Sequence, residues 1–432
     1  MLLVFTPKLT SRIRYIFNHI FYRMLNLKVE FTNSIEDFVA YNGPKLSYSN
    51  KPLGKELFFF SHPFLIDQGI HNISVDVLIK KKYPIIFPVN HKSAMELDIF
   101  AASFYLISRY EEYLPHLKDS KGRFQLLESI AFKNNFLDKP LVDIWVNDLK
   151  LIINSKFKNL IKELSMPKKI IPILEVSDPY LFRQKSFVST LLQSFNLIWN
   201  LKFKTLLYQF YVLIRIFKDP YMEYDFLIKT FNKHKINLIS FFRFTQHASD
   251  LGAISIFNYS YRLLIKNISD QIQLSLLVSF FGQKNQKVLK SEMINLTRLT
   301  NRSTKKVRLN YGILSLSEVY PNLVQNEVKE DYSMGYADHI GYRASTCVPF
   351  YFYDLMNEVQ TPLKIYPVII TENGLRKFSS KKAFFEMKKH YQMSPLISSV
   401  FSFAFSPRIL SKSPDNLLWR SSFLEYISEY ET

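Results

Sequence analysis

Cysteine, glycine and acidic residues are the scarce components of this 432-residue chain: one cysteine, ten glycines, and 37 Asp and Glu against 56 Lys and Arg. A lone Cys347 excludes an intrachain disulfide, and no cysteine pair exists for a thiolate zinc site. There is no Gly-rich phosphate loop and no G-x-S-x-G elbow. Histidine is sparse as well. His19, His62, His71, His91 and His116 are scattered with no H-E-x-x-H spacing, and none occurs between His247 and His339. His234 and His390 fall in lysine-rich helical segments and are expected to be solvated. Long apolar runs are missing too, so no transmembrane helix is expected. The opening run is only Leu2 to Phe5, followed by Thr6, Pro7 and Lys8, shorter than a secretory signal requires. A cytoplasmic chain is therefore expected, at most peripheral on the inner membrane.

What is present is a globular composition. Hydrophobic residues make up 47%, and the length suffices for two domains with real cores. The net charge is +19, which would attract nucleic acid, anionic lipid or an acidic polysaccharide. The basic residues are widely spread and no nucleic-acid motif accompanies them, so nucleic acid is not the expected partner.

The fold class read from the pattern is α/β. Leu2 to Phe5, Val29 to Thr32 and Glu56 to Phe60 predict strands. Ser11 offers a helix cap ahead of apolar residues at helical spacing up to Met24, and Asp98 to Tyr113 predicts a second helix. This mixed α/β domain spans residues 1–166, ending near Met166. From residue 167 to 432, apolar runs alternate with helical segments: KKIIPILEV, KINLISFFR, IQLSLLV and KIYPVII. Such runs read as parallel strands with helical crossovers.

Leu181 to Lys218 stands apart. It carries Arg183, Lys185, Lys202, Lys204, Arg215 and Lys218 with no acidic residue, among Leu191, Leu192, Phe195, Ile198, Trp199, Leu207 and other apolar side chains. Such a segment either packs on the barrel with its lysines snorkelling, the favoured expectation, or makes peripheral contact with an anionic membrane.

Asp331 to Leu355 concentrates unusual chemistry. Asp331, Asp338, His339 and Arg343 lie among Tyr332, Tyr336, Tyr342, Tyr351 and Tyr353, with two of the scarce glycines, Gly335 and Gly341. Charged groups beside aromatic faces suit a sugar. The same residues also suit a structured loop whose tyrosines fill core. Cys347, with no triad around it, reads as a packed thiol.

This stretch resembles the corresponding segment of a bacterial polysaccharide deacetylase family, typical of Bacteroidetes, that carries an N-terminal domain of unknown function. DIFAASFYLISRYEEYLPHLKDSKGRF from Asp98, MLLVFTPKLTSRIRYIFNHIF at the start and KPLVDIW from Lys139 resemble that N-terminal domain, and EVQTPLKIYP from Glu358 resembles the last barrel strand. The resemblance implies a distorted (β/α) barrel of seven strands. It also implies amide hydrolysis on N-acetylated sugars, with a carboxylate base, a divalent metal held by Asp and His, and an acid for the departing amine.

Aligned on that pattern, Glu175 takes the place of the base. Ser177 and Leu277 replace the metal-binding aspartate and histidine, and Asp178 is a possible substitute one position late, pointing away if the strand continues there. Asn310 stands for a nearby histidine. Arg308, Asp331, His339 and Arg343 match the family, Glu372 lies near its acidic position, and His247 follows a strand toward the barrel mouth. The expected catalytic set is therefore Glu175, Asp331 and His339. Arg308, Arg343, Tyr336 and Tyr342 are expected to bind substrate.

No cofactor is expected, and a zinc-like divalent metal only if Glu175, Asp178, Asp331, His339 and Glu372 form a rearranged site. Three functions follow: an impaired deacetylase homologue binding a glycan or a partner enzyme of polysaccharide synthesis, an active hydrolase of N-acetylated sugars, or, behind these, an anion-binding protein working through its +19 charge.

Overall fold

The structure is a computed structural model describing residues 1–79, 83–89, 92–162, 168–246, 254–393 and 399–429. The expected boundary at Met166 and the candidate His247 both lie outside the described residues.

Near the N-terminus, β1 (Leu2–Phe5), β2 (Val29–Thr32), β3 (Lys45–Ser49) and β4 (Leu57–Phe60) form a parallel sheet in the order β2-β1-β3-β4. A small antiparallel pair follows, β5 (Val77–Ile79) with β6 (Pro84–Ile86). The first helix, Ser11–Phe17, is capped by Thr10 and not Ser11: the Thr10 hydroxyl accepts from the Ile13 N–H at 3.2 Å. It runs on as a π-helical stretch, Asn18–Met24.

A helix at Ile35–Ala40 comes next, and the helix predicted over Asp98 to Tyr113 spans only Ile99–Ile107, shorter than the apolar pattern predicts. Asp98 caps it, accepting from the N–H groups of Phe100 and Ala101, both at 3.0 Å. It stops because Arg109 takes a left-handed backbone, φ 55°, which turns Tyr110–Glu112 into a tight 3-10 turn. That break aims Glu111 and Glu112 inward, where both are buried.

The main sheet comprises β7 (Lys169–Val176), β8 (Ile239–Phe242), β9 (Gln273–Val278), β10 (Lys306–Leu309), β11 (Glu330–Met334), β12 (Phe350–Asp354), β13 (Val359–Pro367), β14 (Ile370–Thr371) and β15 (Val400–Phe405). Their order is β12-β13-β11-β10-β9-β8-β7-β15-β14, parallel except for β12 against β13. The sheet curls until its two sides meet: the Ile369 N–H donates to the Ser402 carbonyl at 3.1 Å, and the Ser402 hydroxyl donates to the Pro367 carbonyl. This is the α/β class expected from the pattern and the distorted barrel type that the resemblance implies, with nine strands in the described sheet where seven were expected. β15 is not among the strands expected from the sequence, although its VFSFAF run is buried at every position, as a strand covered on both faces must be.

Alternate residues of the strands fill the barrel interior. Ile171, Ile173, Ile239, Phe241, Leu277, Tyr332, Val368, Val400 and Ala404 form one apolar cluster there, separate from the larger core under the helices.

The segment after β7 is a helical hairpin, Phe187–Trp199 and Phe203–Leu213. The favoured expectation was that its apolar residues pack on the barrel. They do not: Phe187, Leu191, Leu192, Phe195, Ile198 and Trp199 are all exposed.

Candidate functional site

A cleft opens above the apolar plug of the barrel, at the C-terminal ends of the strands, where open α/β sheets place their ligands. Its volume is about 290 Å3. The strands supply its chemistry through the two-residue period of β structure. In β7, Ile171 and Ile173 point into the plug, and the next inward residue, Glu175, reaches the cleft. Arg308 of β10 enters from the opposite wall. Its Nε donates to Glu175 Oε2 at 2.6 Å, and its Nη1 donates to the Tyr332 carbonyl. Ser177 donates from Oγ to Asn310 Oδ1 at 3.0 Å.

Asp178 also lines the cleft. The expected opposite orientation depended on a continuing strand, and β7 ends at Val176. Asp178 pairs with Arg243 Nη2 at 3.2 Å. Glu372 closes the far side, where Oε1 meets Arg376 at 2.6 Å and Oε2 accepts from the Ser406 N–H at 2.8 Å and hydroxyl at 2.7 Å.

Aromatic walls come from Tyr221, Tyr311, Tyr336 and Phe405. Burial first, and then the negative charge of Glu372, raise the Tyr221 hydroxyl and keep it protonated. Gly335 is obligatory on the rim, because a Cβ there would lie 2.1 Å from the Val368 carbonyl oxygen.

Several expected site residues lie elsewhere. Asp331 projects behind the sheet, where Oδ2 accepts from Tyr320 Oη at 2.8 Å and Oδ1 from Ser333 Oγ at 2.6 Å. Its position follows from strand alternation: Tyr332 next to it fills the barrel, so Asp331 must face the helices. Burial raises its carboxyl, and the Ser333 and Tyr320 hydrogen bonds oppose that rise. Asp331 is thus a structural anchor and not a cleft residue.

Arg343 is buried as well. It forms a two-pronged pair with Glu112, Nε to Oε1 at 2.9 Å and Nη2 to Oε2 at 2.7 Å, and donates to the Gly335 carbonyl at 3.1 Å. Arg109 adds a bond to Glu112 Oε1 at 2.7 Å and donates to the Arg343 carbonyl. Burial alone would raise Glu112, but Arg343 and Arg109 overcome it and hold the carboxyl down at about 2. Both arginine and glutamate are spent on joining the N-terminal region to the loop.

Tyr342 is buried away from the cleft, donating to the His390 carbonyl at 3.2 Å. His390 itself is buried, not solvated, because its helix packs that face inward. Cys347 is fully buried, as a packed thiol should be.

His339 lines a neighbouring cavity of about 250 Å3 together with Asp119, Arg123, Phe124, Asp338 and Arg343. Burial and then the nearby Lys377 ammonium, 3.0 Å from Nε2, lower its basicity. Tyr336, Ala337 and Gly312 are common to both cavities. Of the expected set, the cleft therefore unites Glu175, Ser177, Asp178, Arg308, Asn310, Tyr336 and Glu372, and excludes Asp331, His339, Arg343 and Tyr342.

A divalent metal held by carboxylate and imidazole does not fit these residues. Ser177 offers a neutral hydroxyl already engaged with Asn310, and Leu277 sits in the apolar plug. A substitute site built from Glu175, Asp178, Asp331, His339 and Glu372 is not assembled either, since Asp331 lies behind the sheet and His339 in the adjoining cavity. Among the described residues, no three His, Cys, Asp or Glu side chains converge as a metal site would require. Tyr221, Thr371 and Ser406 are lining residues that sequence reasoning missed. Ser406 was detectable as the polar residue ending the β15 apolar run.

Residues 2–158 match a family described as a family of unknown function, DUF7033. No curated protein matches the chain. Among solved structures, a protein designated a polysaccharide deacetylase from Mycobacterium smegmatis aligns at 12% identity with a TM-score of 0.37, covering 62% of this chain and 86% of that one. The polysaccharide deacetylase of Bacillus cereus aligns at 9% identity with a TM-score of 0.31, covering 61% and 88%. A mutant of a CE4-family pseudoenzyme with restored enzymatic activity aligns at 6% identity with a TM-score of 0.31, covering 61% and 62%.

Proposed function

We propose that this chain is a deacetylase-like glycan-binding protein whose barrel cleft holds an N-acetylated sugar without metal-dependent hydrolysis. One observation carries the reading: the strand ends present an Arg308–Glu175 pair, Asp178, Glu372 and four aromatic rings around a cleft, while the Ser177 and Leu277 positions offer no metal ligand. Carboxylates and a guanidinium hydrogen-bond sugar hydroxyls, and ring faces cover the apolar sides of a sugar ring. A volume near 290 Å3 is at the small end of ligand pockets and suits a terminal sugar residue.

The sequence resemblance to polysaccharide deacetylases supports the choice of N-acetylated sugars. Glu175 stands where that family has its base, but its Oε2 is taken up by Arg308, which favours a binding role.

The test is calorimetric titration with N-acetylated oligosaccharides, with acetate release and metal content measured on the same preparation. Millimolar or tighter binding that is lost in Arg308→Ala, with no acetate released, is expected. Acetate release that depends on a bound metal would instead establish the active-hydrolase reading. No binding by any N-acetylated sugar would remove the glycan assignment.

A further inference from the structure

The helical hairpin between β7 and β8 is built inside out. Surface helices normally bury an apolar stripe and expose a polar one. Here the exposed stripe of Phe187–Trp199 is Phe187, Leu191, Leu192, Phe195, Ile198 and Trp199, the last 78% exposed. Its less exposed side carries Ser189, Thr190, Gln193 and Ser194. The second helix largely repeats the inversion: Thr205 and Gln209 are buried beside Val212, whereas Phe203, Leu207, Phe210 and Leu213 face out.

Polar bonds join the inner faces. Ser194 Oγ donates to Gln209 Oε1 at 3.1 Å, and Gln193 Nε2 donates to the Leu181 carbonyl at 3.2 Å. The apolar surface does not stop at the hairpin. Asn258 bonds Gln184 at 2.9 Å and brings exposed Phe257 and Tyr259 beside its start. Lys202 pairs with Asp415 at 2.9 Å, bringing exposed Leu417 and Leu418 beside its tip.

An exposed patch of this extent marks an interaction site. Charge selects the partner. The basic residues cluster at the helix ends, Arg183 and Lys185 before the first, Lys202 between them, Lys204 in the first turn of the second, and Arg215 and Lys218 after it, and residues 181–218 hold no carboxylate. Apolar stripes with cations at their ends fit a layer that is apolar inside and anionic at its surface. Neither helix, at 13 and 11 residues, is long enough to cross a bilayer, so the pair must lie in its surface. No helix among the described residues is long and apolar enough to span.

We infer that this hairpin docks the protein on an anionic bilayer surface, its aromatic and leucine side chains in the outer acyl region and its lysines and arginines on lipid phosphates. The hairpin is held at a fixed place on the barrel. Buried Asp219 accepts from the N–H groups of Leu181, Phe182 and Arg183 at 2.9, 2.9 and 3.0 Å, clamping both ends together. Asp178 and Tyr221, on either side of that clamp, line the cleft, so docking holds the cleft rim beside the membrane. This inference does not depend on what the cleft binds.

The test uses the full chain with phosphatidylcholine vesicles and with vesicles of phosphatidylcholine and phosphatidylglycerol. Flotation with the anionic vesicles only, release by salt, and a blue shift of Trp199 emission are expected. Trp199→Phe, which keeps the apolar contact, should abolish the shift and leave flotation intact. Combined Lys185→Gln, Lys204→Gln, Arg215→Gln and Lys218→Gln should weaken anionic binding about tenfold or more. These four are exposed or half-buried surface residues, and thermal unfolding of the variant verifies that it is folded. Equal binding to both vesicle types, or none to either, overturns the inference. So does a stable dimer, seen by sedimentation, that Phe195→Ser dissolves, because the patch is then covered by a second copy.

Discussion

The loop from Gly335 to Cys347 and the hairpin from Leu181 to Lys218 both break the rule of apolar inside and polar outside, in opposite directions. The loop buries Arg343 against Glu112 and Arg109, and the hairpin exposes phenylalanine, leucine and tryptophan. In the loop, the buried Arg343 has a partner reached across more than two hundred residues of sequence. In the hairpin, polar side chains find one another and leave the apolar ones outward. Residue type shows that a segment is unusual, but only its partner shows whether it is a fastener or a docking face.

The sharpest test of the fastener is Glu112→Gln. It leaves the buried Arg343 guanidinium without its carboxylate, while Arg109 keeps Glu111 at 2.7 Å, and should cost about 3–5 kcal/mol in denaturant unfolding. A loss below about 1 kcal/mol would place this pair with exposed surface bridges. The pH dependence follows from the same pair. The folded carboxyl at about 2 lies below its ordinary 4.5, so its contribution is complete above about 4.5 and is lost as pH falls toward 2. Glu112→Gln should flatten the stability curve across that window.

A smaller effect is expected where the barrel plug meets the lost ligand position. Leu277→His places an unpaired imidazole among Ile173, Phe241 and Tyr332 and should cost about 1–3 kcal/mol. Combined with Glu175→Asp and Ser177→Asp, it should give no gain in zinc affinity by calorimetry, because Leu277 lies in the plug and not in the cleft. Tight stoichiometric zinc in the triple variant would show that the barrel interior opens.

Asp219→Ala releases four N–H groups at the base of the hairpin, those of Leu181, Phe182, Arg183 and Tyr221. It should cost about 1–3 kcal/mol and speed proteolysis within residues 181–218, read by mass spectrometry of limited digests. The smallest effect belongs to the hairpin surface: Phe195→Ser should change stability by no more than about 0.5 kcal/mol, since the ring is exposed. A large loss would show that the exposed stripe is covered within the folded chain.

The sequence by itself determined the α/β class and the run of parallel strands, because strand periodicity and apolar runs are local properties. The family resemblance added the expectation that Ser177 and Leu277 stand at metal-ligand positions as a neutral hydroxyl and a hydrocarbon, the one a poor donor and the other none. Tertiary structure decided the rest. Asp331 left the expected site through its alternation with Tyr332, Arg343 was claimed by Glu112, and Asp178 entered the cleft because β7 ends early. The hairpin shows the same limit: its helical stripes were legible in the sequence, but which side faced the barrel depended on Asp219, Gln193 and the Ser194–Gln209 bond, contacts that exist only once the chain has folded.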